Sequence, residues 1–433
     1  MSSERRFEQE LSALLDDLYY MGSLPTYRDQ ILQQTVRTRQ RPAWSFLERW
    51  LPMVDLARQP VSVSRLPWRV IGLGLAVLAL LLALVATLVA GSRPSLPTPF
   101  GPAGNGLIAY ASGGDILTVD AGTGKSTTIV KGPGDADPRW SRDGTRLAFK
   151  RQGASSGTSL LYVVNADGSG LIQVTPQPLP AVENYTFSPD GKKILITASP
   201  STFTDLLIAA TDGSGIRHVG LPMPATDAAW RPPDGAQILF NCEGDIQGCS
   251  DSGIYAVNAL DGKVRTILAG ADAAGRFRGH PAWSPDGSLI SFGEWTGLNG
   301  LDVQTRIVAA DGTGDRPLPI PTGAVWQAPW SWSNDGARLL VVRGYTGDVS
   351  QARPVAVPTA GSGFGIEIPY PGGIGTGQVS DWEWAPDDTS ILGTPMDASG
   401  TTLDQLLLDP AAGTFRKVPW TSVSQPSWQR LGH

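Results

Sequence analysis

Cysteine, histidine and charged residues are all scarce in this chain. Of its 433 residues, two are cysteine, three are histidine and 17% are charged. Zinc centres use clusters of cysteine and histidine, so two cysteines and three histidines are too few for a typical zinc site. They also leave few groups for histidine-based catalysis. The formal net charge of -6 argues against a general nucleic-acid binder.

The sequence also lacks room for a serine hydrolase domain beside the repeats; GASSG from Gly153 has the Gly-x-Ser-x-Gly spacing of a hydrolase elbow but lies inside a repeat. Asp387 and Asp388 fall in a repeat turn and His280 directly precedes a repeat, so turn and structural roles explain them. GTGKST from Gly122 lacks the first glycine of a phosphate loop, since Val119 stands there, and is typical of a hairpin turn. We therefore expect no catalytic residue, no metal site, no cofactor and no enzymatic activity.

One long apolar run divides the chain. Residues 70–90 read VIGLGLAVLALLLALVATLVA without a charge, which is enough to cross the roughly 30 Å hydrocarbon core of a bilayer. A buried core helix is the alternative, but such helices rarely stay apolar on every face for this length. The sequence therefore predicts a transmembrane helix over residues 70–90 and a Pro/Gly linker over residues 91–104.

Charge asymmetry sets the expected orientation of this helix. Residues 1–69 hold ten arginines, no lysine and eight acidic residues, so their net charge is +2, whereas the remainder of the chain has -8. Positively charged flanks stay in the cytoplasm. We therefore expect a single-pass protein of the cell membrane with a cytoplasmic N-terminus and an extracytoplasmic C-terminal part.

Seven copies of one pattern fill residues 105–433. PRWSRDGTRLAF begins at Pro138 and PAWSPDGSLISF at Pro281, and each copy contains one anchor aromatic residue. The anchors are Trp140, Phe187, Trp230, Trp283, Trp332, Trp384 and Trp428. They lie 43 to 53 residues apart, which is typical of β-propeller blades with four short strands each. Each anchor is expected to pack between neighbouring blades, and each Asp-Gly pair to form a turn.

The ends of the repeat array indicate how the ring closes. The first unit has no aromatic strand before GLIAY at Gly106, and the last unit, PSWQR at Pro426, has no strands after it. If the strand around Trp428 completes the first unit, seven anchors serve seven blades and two open sheet edges disappear. We predict a mostly β protein with a seven-bladed propeller; an eighth, ragged blade and six blades with an appendage are the alternatives.

The Trp-Ser-Pro-Asp-Gly repeats, followed by strands that end in Asp-Gly turns, resemble the TolB-like propeller repeats of bacterial cell envelopes. The resemblance covers about 330 residues and implies the fold but little about function. TolB-type propellers generally have six blades and a separate N-terminal domain, and this chain departs from them on both points.

Three loops of the repeat region are longer than the others and cover residues 243–251, 294–302 and 345–353. Long propeller loops usually mark a binding face. A ligand or protein pocket at the channel mouth is one interpretation, and a plain rigid scaffold is the other. Cys242 and Cys249 bracket EGDIQG in the first loop and can form a disulfide outside the cytoplasm.

Residues 1–36 predict two short amphipathic helices that bury little surface by themselves. They can pair with each other, dimerise or dock on a partner, and we favour a partner. The residues expected to contact it are Phe7, Leu11, Leu14, Leu18, Ile31 and Leu32.

A basic and aromatic stretch over residues 37–69 precedes the apolar run. Tryptophan is favoured at the membrane interface, and each arginine near anionic headgroups contributes about 1 kcal/mol. We expect this stretch to contact the lipid bilayer rather than nucleic acid, because four arginines with acidic neighbours are a weak nucleic-acid signal. The predicted interface residues are Arg37, Arg39, Arg41, Trp44, Arg49 and Trp50.

The layout of the chain gives a second resemblance. The chain resembles membrane-anchored anti-sigma factors of extracytoplasmic-function sigma factors. The shared layout is a helical segment, one apolar span and TolB-like repeats beyond it, and the matching residues are RTRQRPAW from Arg37 and ERWLPM from Glu48. This resemblance implies a sigma factor as cytoplasmic partner and an unidentified extracytoplasmic ligand or protein. Residues 1–69 contain no His-x-x-x-Cys-x-x-Cys motif, so the implied anti-sigma factor is zinc-free. The alternative is a TolB-like envelope scaffold or binding propeller without a role in transcription.

Overall fold

The computed structural model of the chain describes residues 74–79, 100–199, 204–242, 249, 252–270, 275–296, 302–345, 352–368, 381–394 and 405–432. The chain divides into two compact units, Met1–Val85 and Ala86–His433. Within the first unit the described residues, 74–79, are helical. Among all described residues, none of the helices has the length and apolar character that a membrane crossing requires. The rest of the predicted span over residues 70–90 lies outside the described residues.

The described residues of the second unit form seven antiparallel sheets around a ring. Six sheets consist of strands that follow one another along the chain, and the first sheet combines the first three strands with the last one. An additional short strand, β8 (Leu179–Pro180), pairs with β6 (Thr158–Asn165) of the second sheet. The prediction of a mostly β protein with a seven-bladed propeller is therefore confirmed.

Strands are numbered along the chain. The first three blades contain β1 (Gly104–Ser112), β2 (Asp115–Val119), β3 (Ser126–Val130), β4 (Asp135–Trp140), β5 (Arg146–Gln152), β6 (Thr158–Asn165), β7 (Ile172–Gln173), β8 (Leu179–Pro180), β9 (Val182–Phe187), β10 (Lys193–Ala198), β11 (Asp205–Ala210) and β12 (Ile216–His218). Blades four and five contain β13 (Thr226–Trp230), β14 (Gln237–Cys242), β15 (Gly253–Asn258), β16 (Val264–Leu268), β17 (Arg276–Trp283), β18 (Leu289–Thr296), β19 (Gln304–Ala309) and β20 (Arg316–Pro317). Blades six and seven contain β21 (Trp326–Trp332), β22 (Arg338–Gly344), β23 (Arg353–Pro358), β24 (Ile366–Glu367), β25 (Asp381–Trp384), β26 (Ile391–Thr394), β27 (Leu406–Asp409) and β28 (Thr414–Lys417). The last strand, β29 (Ser427–Leu431), belongs to blade one.

The hydrophobic cores lie between consecutive blades. All seven anchor aromatics are 5–8% exposed. Trp230, for example, packs with Leu195 and Leu206 of blade three and with Phe240 of its own blade. Burying a ring of this size stabilises the fold by about 2–3 kcal/mol, so each anchor contributes to holding neighbouring blades together.

The turns after four of the seven anchor strands follow from a Ser-x-Asp-Gly sequence. The hydroxyl of Ser141 donates to Asp143 at 2.6 Å and accepts the N–H of Arg146 at 3.0 Å. Burial opposes ionisation of Asp143, but hydrogen bonds from Ser141 and Thr145 outweigh it and lower the pKa of this carboxyl. The same serine-to-aspartate bond recurs at Ser188, Ser284 and Ser333. These repeated hydrogen bonds fix the turn geometry independently of the loops around it.

Strand β29 closes the ring by pairing antiparallel with β1. Its Gln429 side chain donates to the carbonyl oxygen of Gly144 in blade two at 2.7 Å, and the Trp428 indole donates to Gly106 of blade one at 3.2 Å. Gly144 has a φ of 68°, and a Cβ there would lie 2.1 Å from the carbonyl oxygen of Arg430. Closure by the strand around Trp428 is thus confirmed, in place of an eighth blade or an appendage.

Candidate functional site

Several predicted sites lie outside the described residues. These are the partner-contacting residues Phe7, Leu11, Leu14, Leu18, Ile31 and Leu32 and the interface residues Arg37, Arg39, Arg41, Trp44, Arg49 and Trp50. Most of each long predicted binding loop is outside them as well, namely residues 243–248, 297–301 and 346–351. The propeller channel is the predicted binding region for which side-chain geometry is described.

Cys242 and Cys249 form a disulfide with a Cα–Cα distance of 5.7 Å. Cys242 is the buried last residue of β14 and packs in the core between blades three and four. The disulfide therefore attaches the following loop to the sheet at the point where β14 ends.

We expect the double substitution Cys242→Ser with Cys249→Ser to lower the free energy of unfolding by about 2–3 kcal/mol. The physical reason is that a disulfide over this short separation restricts the unfolded chain by about that amount. Urea unfolding of the full chain measures the change. Reduction of the unmodified protein with dithiothreitol should shift its midpoint in the same way, and an unchanged midpoint in both cases would show that the bond contributes nothing.

The first strand of each blade lines a central channel. The channel contains two adjoining cavities of about 250 Å³ each. The residue directly before each anchor aromatic lines one or both cavities. These residues are Arg139, Thr186, Ala229, Ala282, Ser331, Glu383 and Ser427. Five of the seven are small or uncharged, so the two charged ones, Arg139 and Glu383, set the polarity of their part of the channel.

One of the cavities is rich in arginine. Arg139, Arg142, Arg430 and Glu383 all line it; three guanidinium groups against one carboxylate leave a local charge of +2. Glu383 accepts the backbone N–H of Trp428 at 3.1 Å. This part of the channel, formed by these four residues, is called the basic mouth below.

Arg430 is held in place by neighbouring groups. It is 5% exposed, and it donates to the side-chain oxygen of Asn334 at 2.7 Å and to the carbonyl oxygen of Gly101. Burial, followed by the charge of Arg142, lowers the pKa of Arg430 to about 10. The guanidinium remains charged at neutral pH in surroundings that disfavour its charge, so a nearby anion would stabilise it.

Arg142 faces the channel and retains contact with solvent there. Protein nevertheless surrounds it, and desolvation lowers the pKa of its guanidinium, while the charge of Glu383 opposes that shift. The guanidinium carbon lies 5.1 Å from the centroid of the Phe100 ring, which is within the range of a cation–π contact.

Asp388 orients the polar wall beside Arg430. Its carboxylate accepts the backbone N–H of Asn334 at 2.7 Å, the Asn334 side-chain amide at 2.9 Å and the N–H of Asp335 at 2.8 Å. Burial raises the pKa of Asp388, and the hydrogen bonds from Asn334 oppose that shift. Asp388 thus links blade seven to the turn of blade six, which is more than the local turn role expected from the sequence.

Sequence reasoning missed the residues of the basic mouth. Their positions nevertheless follow a simple rule: Arg139 and Glu383 stand one residue before an anchor, and Arg142, Asn334 and Arg430 stand two residues after one. Aligning the seven copies on their anchors would have shown that the first position is alanine, serine or threonine in the other five copies and that the second is proline in the other four. Among the described residues, His, Cys, Asp and Glu form no group of three that could hold a metal ion.

The fold and the channel can now be compared with known proteins. The model of the TolB beta propeller domain matches residues 85–334. This chain belongs to the TolB β-propeller family. No curated protein matches the chain as a relative.

Several solved propellers are similar to this TolB-family chain. A structure from a study of two prolyl endopeptidases has a TM-score of 0.52 and 14% identity, covering 76% of this chain and 50% of that one. An oligogalacturonate lyase in complex with manganese has a TM-score of 0.51 and 16% identity, covering 75% and 86%. The periplasmic gluconolactonase of Pseudomonas aeruginosa has a TM-score of 0.50 and 16% identity, covering 75% and 98%. At these identities the likeness concerns the fold alone.

The prediction of no enzymatic activity is corrected by this comparison. That prediction treated a TolB-like propeller without a hydrolase domain as non-catalytic, yet lyase, lactonase and peptidase structures contain propellers of this fold. Fold and function are separable. The absence of a hydrolase domain therefore does not exclude catalysis by this propeller family.

Proposed function

We propose that this TolB-family protein is a single-pass membrane signalling regulator, a zinc-free anti-sigma factor whose extracytoplasmic propeller binds a ligand or protein in its channel. One observation carries the proposal: residues Phe100 and Gly101 line the channel beside Arg142. Phe100 contacts Arg142, and the carbonyl oxygen of Gly101 accepts a hydrogen bond from Arg430. The start of the propeller is thereby part of the channel wall.

This contact provides a physical basis for signalling. A ligand changes the conformation of a protein only as far as its free energy of binding differs between the two conformations. An occupant of the basic mouth would touch Arg142 and Arg430, which contact Phe100 and Gly101 at the end of the predicted linker over residues 91–104. Binding would therefore favour one position of this segment, and the linker leads to the predicted membrane span over residues 70–90.

The cytoplasmic part of the proposal rests on the sequence. Arg37, Trp44 and Trp50 would sit at the lipid interface, and the apolar stripe that includes Leu11 would contact the sigma factor. The N-terminus would lie in the cytoplasm and the propeller outside it. A fusion reporter after His433 that is active in the cytoplasm would contradict this orientation.

We expect the full chain, purified in detergent, to retain an extracytoplasmic-function sigma factor from the same organism, and Leu11→Asp to reduce the recovered sigma factor about tenfold or more. A charge in the centre of a helix-mediated interface removes the contacts on which binding mostly depends. Quantitative immunoblotting of co-purified sigma factor measures the effect.

Gln9→Asp is the matched control, because it adds the same charge off the apolar stripe. It should leave recovery unchanged. If no sigma factor co-purifies, or if Leu11→Asp and Gln9→Asp behave alike, the envelope-scaffold alternative is favoured.

A further inference from the structure

Two arginines of the basic mouth have hydrogen-bond donors to spare. Within the described part of the chain, the guanidinium groups of Arg139 and Arg142 make no hydrogen bond and no ion pair. Each carries five N–H donors. The cation–π contact of Arg142 with Phe100 uses the face of the guanidinium and leaves its N–H groups at the edge available.

Other arginines of the same repeats are used differently. Arg146, Arg231 and Arg338 donate to backbone carbonyl oxygens of the next blade, at 2.5, 3.2 and 2.9 Å. They join blades and are part of the scaffold. Arg139 and Arg142 face the cavity instead, so joining blades does not explain their presence.

The charge in the basic mouth is unbalanced. Arg430 adds a third guanidinium, and Glu383, the one carboxylate among the described residues that line this cavity, also accepts the backbone N–H of Trp428. Like charges in a partly desolvated cavity repel one another, and a bound anion removes that repulsion. Arginine is also the side chain best suited to hold carboxylate or phosphate groups with paired hydrogen bonds.

We propose that the basic mouth binds a small ligand through a carboxylate or phosphate group, held by Arg139 and Arg142 with Arg430 behind them. The rings of Trp140, Trp332 and Trp384 also line the cavity and offer apolar surface to the rest of the ligand. Two adjoining cavities of about 250 Å³ hold a molecule of the size of a sugar acid. This inference names the ligand class for the proposed channel-binding role and rests on it.

Isothermal titration of the full chain in detergent, in a chloride-poor buffer, tests the site with three probes: glucuronate, inorganic phosphate and glucose. Glucose has the ring of glucuronate without its charge. We expect at least one of the two anions to bind and glucose not to bind. Arg142→Gln and Arg139→Gln should each weaken the anion about tenfold, since a charge-assisted hydrogen bond is lost.

Two further variants separate a binding role from a structural one. Glu383→Gln keeps an oxygen for the Trp428 N–H but removes the competing negative charge, so it should tighten anion binding several-fold. Lys125→Gln, in the exposed β2–β3 turn, removes the same charge outside the cavity and should change nothing.

The outcomes are distinct. Binding of glucuronate alone identifies a carboxylate ligand, and binding of phosphate alone identifies a phosphate ligand. If neither anion binds, or if the affinity is unaffected by both Arg142→Gln and Arg139→Gln, the proposal is overturned. Sigma-factor recovery is a separate measurement, so its failure would leave these titrations interpretable.

Discussion

Deletion of residues 422–433 is expected to prevent the propeller from folding. The deletion removes β29, which pairs with β1, and with it the anchor Trp428 in the core between blades seven and one. Loss of one buried tryptophan side chain costs about 3–5 kcal/mol in other proteins. The deletion would also leave β1 without its partner strand, and an unpaired sheet edge favours aggregation.

The polar contacts of this segment add to the loss. The hydroxyls of Ser422, Ser424 and Ser427 accept backbone N–H groups of Ala111, Asp137 and Trp140 at 3.2, 2.8 and 3.2 Å. A buried N–H left without an acceptor costs about 1–3 kcal/mol. Together these losses reach the whole stability of an ordinary domain, about 5–15 kcal/mol.

Circular dichroism and the soluble yield of the detergent-purified protein measure the result. The control removes residues 432–433 alone and leaves β29 complete, so it should fold normally. A chain lacking residues 422–433 that unfolds at the same temperature as the intact protein would show that β29 does not hold the ring together.

Substitution of Arg343 by leucine is expected to lower the free energy of unfolding by about 3–5 kcal/mol, the usual range when one partner of a buried charged network is removed. Arg343 is 1% exposed in β22. It donates to the side-chain oxygen of Gln327 at 2.8 and 3.0 Å, to Glu367 at 3.2 Å and to the carbonyl oxygen of Phe364 at 2.7 Å. Leucine fills part of the space but removes this donor from Gln327 and Phe364, whereas Glu367 keeps a hydrogen bond from Tyr345.

Urea unfolding compares this variant with two others. Arg416→Leu, at an exposed arginine of blade seven, should change the free energy of unfolding by about 1 kcal/mol or less. Adding Gln327→Leu to Arg343→Leu should recover part of the loss, because the double variant replaces both partners by apolar groups. Equal losses for Arg343→Leu and Arg416→Leu would show that the buried network does not stabilise blade six.

The sequence by itself determined the ring. Anchor aromatics recur at blade spacing, the Ser-x-Asp-Gly turns are local in their hydrogen bonding, and the unmatched ends at Gly106 and Pro426 showed which strand completes blade one. These features depend on residues close together in the chain, or on a regular period, and both can be read from one sequence.

Only the tertiary structure decided where the basic mouth lies. Arg139 and Arg430 are 291 positions apart in the numbering and share one cavity because the last strand returns to the first blade. The same closure sets Arg430 beside Asn334 and Gly101. Which side chains converge on the channel axis depends on the number of blades and on the register of each first strand. A ring brings distant positions together only when it closes, and the burial that changes the pKa of Arg430 arises at that point.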